Sequence, residues 1–212
     1  MKLIGITGGV GAGKSLVLQL LQKHCRCRVL LADEVGNEVK LPGQPCYERL
    51  VELLGKQVLS SDGTIDRKKM AERIFADPAL LDQVNGIIHP EVRRYILKQV
   101  EEERSKGEID YFFLEAALLI ECGYEAVVDE LWYIHADPAV RMRRLKESRG
   151  YPEEKIRRIF ESQLGEEEFR AHCSLVIENN GDVRETERQL LAALGRETGE
   201  GFCRYVFVRS AQ

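Results

Sequence analysis

Read as a pattern of apolar and polar positions, the chain begins with a short apolar run, Leu3 to Thr7, of the length of one buried strand. Lys14 to His24 follows as a helix, with Leu16, Leu18, Leu20 and Leu21 as its apolar side. Arg28 to Asp33 reads as a second strand. From about Glu34 to Gly107 no segment has a strand pattern. Helical stretches are separated there by the turn signals Pro42-Gly43, Ser61-Asp62-Gly63 and Asp77-Pro78. His89-Pro90 predicts another boundary, because a residue before proline is pushed out of the α region. A long helix is then expected from Glu91 to Lys106, stopping at Gly107. Strands return at Tyr111 to Glu115, Leu131 to His135 and Leu175 to Glu178, with helices in the gaps. Asp182 is the expected N-cap of a last helix reaching about Glu197. A β-like stretch in the tail, Tyr205 to Val208, fits none of these units.

Strands alternating with helices predict an α/β fold, a five-stranded parallel sheet flanked by helices. One helical excursion lies between strands two and three, and a second, Asp137 to about His172, between strands four and five. No repeat or low-complexity linker divides residues 1–212, so a single domain is expected. Composition changes this picture little: 44% hydrophobic and 31% charged residues are ordinary for a soluble globular chain. The net charge of −4 gives no footprint for nucleic acid. No apolar run approaches the roughly 18 residues that cross a bilayer, and the N-terminus reads as a first strand, not as a signal peptide. Six cysteines are scattered without a disulfide or zinc framework; the pair Cys25-Arg26-Cys27 lacks zinc-finger spacing. They are expected to be reduced thiols of a cytoplasmic protein.

Chemistry enters with Gly8-Gly9-Val10-Gly11-Ala12-Gly13-Lys14-Ser15, which fits the P-loop pattern and sits between a predicted strand and a predicted helix. The glycines allow a tight turn that aims successive amides into one concavity, and the following helix adds its positive end. Lys14 is placed to reach the β- and γ-phosphates, and Ser15 to offer a hydroxyl to Mg²⁺. This predicts binding of a nucleoside triphosphate. The Asn-Lys-x-Asp segment of a GTPase is missing, and Tyr111 to Glu115 is only a loose match to the metal-binding strand of a coupling ATPase. Two helical excursions suit a kinase that binds an acceptor and closes over ATP, excluding water.

Further segments resemble the dephospho-CoA kinase family, in its order and spacing: Ala32-Asp33, Pro42-Gly43, Asp62-Gly63-Thr64-Ile65-Asp66-Arg67, Ile74-Phe75, Asn85-Gly86-Ile87-Ile88-His89-Pro90, Leu118-Leu119-Ile120-Glu121, Arg141 with Arg144-Leu145 and Arg149, Gln163, and Val176 to Gly181. The resemblance covers about residues 3 to 195. It implies the P-loop NTPase fold and transfer of the ATP γ-phosphate to the ribose 3′-hydroxyl of dephospho-CoA, giving CoA and ADP, the last step of coenzyme A biosynthesis, with Mg²⁺. It also implies a nucleotide-binding core (about 1–33, 108–136 and 173–197), a helical acceptor-binding insertion (about 34–107) and a lid (about 137–172), in a monomer or weak homo-oligomer.

The resemblance gives the candidate residues their roles. Asp33 matches the family's acceptor-activating aspartate; by residue type alone it is as fit to cap the helical segment after it. Gly8, Gly9, Gly11, Ala12, Gly13, Lys14, Ser15 and Leu16 would bind ATP, with Ser15 also the metal ligand. Arg141, Arg144 and Arg149 resemble lid arginines that neutralise charge on the transferred group, Arg141 being counted catalytic with Lys14 and Asp33. The remaining cations of that run (Arg143, Lys146, Lys155, Arg157 and Arg158) read as a solvated helix face paired with Glu147, Glu153 and Glu154. Arg67, His89 and Glu115 are acceptor-side candidates, His89 being equally suited to a structural hydrogen bond. Asn179 and Asn180 fall near the adenine in the family, and a plain turn before the last helix explains them nearly as well.

Several positions depart from the family pattern. Leu31 replaces the first Asp of an Asp-Ala-Asp, Asn37 an arginine, Leu16 a threonine, Glu115 an aspartate, Ala117 a proline and Ser174 an acidic residue. Acceptor affinity and turnover are where these should tell. The alternatives are a related nucleoside or nucleotide kinase, and a catalytically weakened nucleotide-binding regulatory protein.

Overall fold

The computed structural model describes residues 1–77 and 79–195; the expected tail stretch Tyr205 to Val208 lies outside them. The chain divides into two compact units, Met1–Leu30 with Lys106–Gln212, and Leu31–Ser105.

The first unit is built on a five-stranded sheet. β1 (Lys2–Thr7), β2 (Cys27–Leu31), β3 (Tyr111–Glu115), β4 (Glu130–His135) and β5 (Leu175–Glu178) are ordered β2-β3-β1-β4-β5. β1 pairs in parallel with β3 (Ile4 opposite Phe113) and with β4 (Ile6 opposite Trp132), and β4 in parallel with β5 (Ile134 opposite Ile177). A parallel sheet is covered on both faces, so its strands are continuous apolar runs instead of alternating ones. Leu3, Ile4, Ile6, Phe112, Phe113, Leu114, Trp132 and Ile134 are all buried. Each such side chain contributes about 1.5–3 kcal/mol by leaving water. Helix α1 (Lys14–His24) buries Val17, Leu18, Leu20 and Leu21, and packs against α9 (Val183–Ala193), whose N-cap Asp182 accepts from the Arg184 amide at 2.9 Å. Leu16, expected on the apolar face of α1, is only half-buried, and Val17 takes its place. α9 stops four residues short of the expected Glu197. Between β4 and β5 stand α6 (Pro138–Arg149), α7 (Glu153–Glu161) and α8 (Glu166–His172). Because the chain steps to opposite sides of β1 to form β3 and β4, the crevice at the C-terminal end of β1 is the ligand position expected for an open α/β sheet.

The second unit is helical: α2 (Ala32–Glu38), α3 (Tyr47–Leu54), α4 (Arg67–Ala76) and most of α5 (Ala79–Lys106). Val35, Leu50, Leu54, Val58, Val84, Ile87 and Ile96 are buried in it. Asp66 caps α4 by accepting from the Lys68 and Lys69 amides at 2.8 and 3.0 Å. Among the described residues of this unit beyond the end of β2, the strand-like feature is an isolated antiparallel bridge, Leu59 with Ile65.

One boundary differs from expectation. Pro90 does not start a new helix; it lies inside the 28-residue α5. Proline removes the bond to the carbonyl four residues back and crowds it, and that residue is Gly86. Val84, Ile87, Val92, Ile96 and Val100 keep one buried stripe running past the proline, so packing carries the helix through the lost bond.

Candidate active site

The loop Gly8 to Gly13 leaves the buried end of β1 and enters α1. Gly13 has φ 94°, in the left-handed region, and ends the loop as the N-cap of α1. A Cβ on Gly13 would overlap the Asn179 side-chain amide, and one on Gly9 would overlap the Arg141 guanidinium. At Gly13 close approach to a buried amide adds to the demand of turning, whereas the guanidinium tip facing Gly9 is the far end of a flexible side chain. Within the loop, Ala12 N–H donates to Gly9 O at 3.1 Å. Among the described residues, no backbone carbonyl accepts from the Gly11 or Gly13 amide. Those donors, with the positive end of α1, form an anion nest.

Lys14 stands at the start of α1. Its Nζ donates to Gly8 O at 2.8 Å and lies 3.4 Å from Glu115 Oε1 at the end of β3. The lysine is therefore held across the mouth of the nest between a carbonyl and a carboxylate. Ser15, in the first turn of α1, is exposed.

The outside of the loop is held from α6. Arg141 Nε donates to Val10 O at 2.9 Å, Arg141 Nη2 donates to Gln163 Oε1 at 2.6 Å, and its guanidinium stacks 4.1 Å over the Phe160 ring. Gln163 Oε1 also accepts from the Val10 amide at 3.2 Å. One turn on, Arg144 donates to Ala12 O at 3.2 Å and to Asn179 O at 2.8 Å. Burial pulls both arginines below the ordinary guanidinium range, and Arg143 adds repulsion at Arg144. Asn179 is 1% exposed; its amide donates to Ala12 O at 2.7 Å and its carbonyl accepts from Thr186 Oγ1 at 3.0 Å. Asn180 instead accepts from the Asp137 amide at 2.6 Å, joining the end of β5 to the start of α6.

In the first unit the expected residues Gly8 to Leu16, Glu115, Arg141, Arg144 and Asn179 thus come together on one loop. Arg149 does not join them: it is exposed in the last turn of α6, 5.9 Å from the Tyr151 ring. In the helical unit, Asp33 lies in the first turn of α2 and not at a strand end, because β2 stops at Leu31 and a carboxylate suits a helix N-terminus. Arg67 opens α4, and His89 is exposed in mid-α5. Lys40, unremarkable in the sequence, is half-buried beside this group. Its Nζ donates to Asn37 Oδ1 at 3.3 Å, and burial, then repulsion from Arg67, lowers its pKa against the attraction of Cys46 and Asp33. Gln163 was marked in the sequence only by the family resemblance and Phe160 by nothing; that Gln163 meets Val10 and Phe160 meets Arg141 follows from the packing of α7 on α6.

Residues 2–185 match the family model for dephospho-CoA kinase. A dephospho-CoA kinase of Carboxydothermus hydrogenoformans is 32% identical over 194 residues, covering 92% of this chain and 93% of that one. One from Bacillus licheniformis is 38% identical over 189 residues, covering 88% and 92%. The crystal structure of TT1252 from Thermus thermophilus superposes with a TM-score of 0.76 at 33% identity, over 93% of this chain and 98% of that one. With the phosphate-binding loop intact and the likeness running through both compact units, the chain belongs to the dephospho-CoA kinase family.

Proposed function

We propose that this protein transfers the γ-phosphoryl group of ATP to the ribose 3′-hydroxyl of dephospho-CoA, giving CoA and ADP. The observation that carries the reading is family membership across residues 2–185, which takes in the cradle and the helical unit alike. ATP occupies the nest of loop amides, with Lys14 leaving Glu115 for the β- and γ-phosphates. The Ser15 hydroxyl, exposed in the first turn of α1, suits a hard cation, so Ser15 is the residue that would hold Mg²⁺. When bound, the ion would supply neutralisation of phosphate charge.

The helical insertion takes the acceptor. Asp33 orients the 3′-hydroxyl and accepts its proton as the bond to phosphorus forms, Arg67 contacts the acceptor's anionic groups, and His89 in this unit and Glu115 at the end of β3 are the further acceptor-side candidates. The segment from Asp137 to His172 acts as the lid. Arg141 and Arg144, already against the loop, offset charge as it spreads over the transferred group, and Arg149, exposed at the end of α6, contributes only on a rearrangement of the lid. Reaction in the cytoplasm, as a monomer or weak homo-oligomer, completes the reading.

The test is formation of CoA and ADP from ATP, Mg²⁺ and dephospho-CoA. Lys14→Ala and Asp33→Ala should each lower kcat/KM by about 10²–10³. Nucleotide binding without CoA formation would overturn the acceptor assignment.

A further inference from the structure

Arg141 carries a positive charge next to the phosphate cradle, yet among the described residues no carboxylate answers it. Its partners are the Val10 carbonyl, the Gln163 side-chain carbonyl and the face of the Phe160 ring. Among the described residues no carboxylate lies within ion-pair distance of it. Val10, Gln163 and Arg141 close a ring of hydrogen bonds on the backbone of one residue, Val10. Val10 N–H and Arg141 Nη2 both donate to Gln163 Oε1, at 3.2 and 2.6 Å, while Arg141 Nε donates to Val10 O at 2.9 Å. An amide oxygen accepts two donors without cancelling a charge; a carboxylate there would hold the guanidinium equally well but neutralise it. Gln163 belongs to the link between α7 and α8, whereas Arg141 is on α6 and Val10 on the loop. The ring therefore joins three separate segments through one side chain.

We infer that Gln163 is a positioning residue for phosphoryl transfer, holding the Arg141 guanidinium on the Val10 backbone with its charge left available to the donor's phosphate oxygens. The inference rests on the reading above that this loop holds the phosphoryl donor. Gln163 acts through Arg141, and Phe160 supports the same guanidinium from its face. Placement matters because an arginine displaced by about 1 Å forfeits much of its stabilisation of the transition state.

The experiment is a double-mutant cycle on the full chain with Gln163→Met, of similar length but with only a weak thioether acceptor, and Arg141→Ala. With Arg141 present, Gln163→Met should lower kcat about tenfold with KM for dephospho-CoA unchanged. With Arg141→Ala already in place, the same change should lower kcat less than about twofold. Equal losses in both backgrounds would overturn the inference, since Gln163 would then act on the loop alone. Unchanged kcat in Gln163→Met would also overturn it. Gln163→Asn, which withdraws the amide by one methylene, serves if the methionine variant does not fold. The same cycle on the affinity for adenylyl imidodiphosphate, without acceptor, reads the donor site by itself: Gln163→Met should weaken binding only where Arg141 is present. If the wild type forms no CoA, the function proposed above fails, while this binding arm still decides the role of Gln163.

Discussion

Asn179 shows how a residue's job depends on where its amide is spent. In the sequence it reads as an adenine contact or a turn; in the fold its side chain is buried, joining the end of β5 to the loop at Ala12 O and to α9 at Thr186. Gly13 packs beneath it with φ 94°. Gly13→Ala therefore meets two penalties, a left-handed backbone costing about 1–2 kcal/mol and overlap with the Asn179 amide. The expected outcome is a loss of ATP-analogue affinity of about tenfold or more, read by equilibrium titration, with the single buried tryptophan, Trp132, reporting that the sheet is intact. The P-loop was legible because its constraints are local: glycine where φ is positive, lysine and a hydroxyl where phosphate and metal arrive. Gln163 as a neighbour of Val10 was not, since 153 residues separate the two.

Among the elements, α6 and α7 are tied by charges exposed to solvent. Glu153, at the start of α7, accepts from Lys146 on α6 at 2.7 Å and from Arg157 on its own helix at 2.6 Å. Hydrogen bonds from Lys146 and then Arg157 hold its carboxyl down at about 2, from an ordinary value of 4.5. A depressed carboxylate stabilises the fold above its unfolded pKa and loses that contribution as pH falls through the folded one. Stability from this group should thus be complete above about pH 4.5 and fade towards pH 2. Glu153→Gln should flatten the acid limb of the melting temperature between those values, and 1 M salt should shrink the difference, because both partners are solvated. A slope identical in wild type and variant would show that the pair contributes nothing in solution. The sequence-level pairing of Glu153 and Arg157 at i,i+4 was readable; the bond across to Lys146 required the turn at Gly150. α5 teaches the opposite lesson. Proline is a strong local stop signal, yet a continuous buried stripe outweighed it.

At the scale of the whole molecule, the two compact units divide the proposed substrates. ATP analogues should slow amide exchange chiefly in the loop, α1 and α6, whereas dephospho-CoA should protect α2 and α4. Hydrogen-exchange mass spectrometry with each ligand alone distinguishes this from a single shared footprint. Protection of α2 and α4 by nucleotide alone would remove the acceptor assignment of the helical unit. Either ligand should also raise the melting temperature, by an amount that grows with the logarithm of its concentration over its dissociation constant.

The sequence by itself determined the strands, the long insertion after β2, the excursion after β4 and the phosphate-binding loop. Each of these is written in short-range pattern: apolar runs for a doubly covered sheet, 3.6-residue periodicity, glycine at sites of positive φ. Only the tertiary structure decided the strand order, the passage of α5 through Pro90, the start of α2 before Asp33, and the seating of Arg141 on Val10 by Gln163. Those outcomes depend on which distant surfaces bury one another and which buried polar groups find partners. That competition is settled by packing over the whole chain and leaves no mark in local spacing.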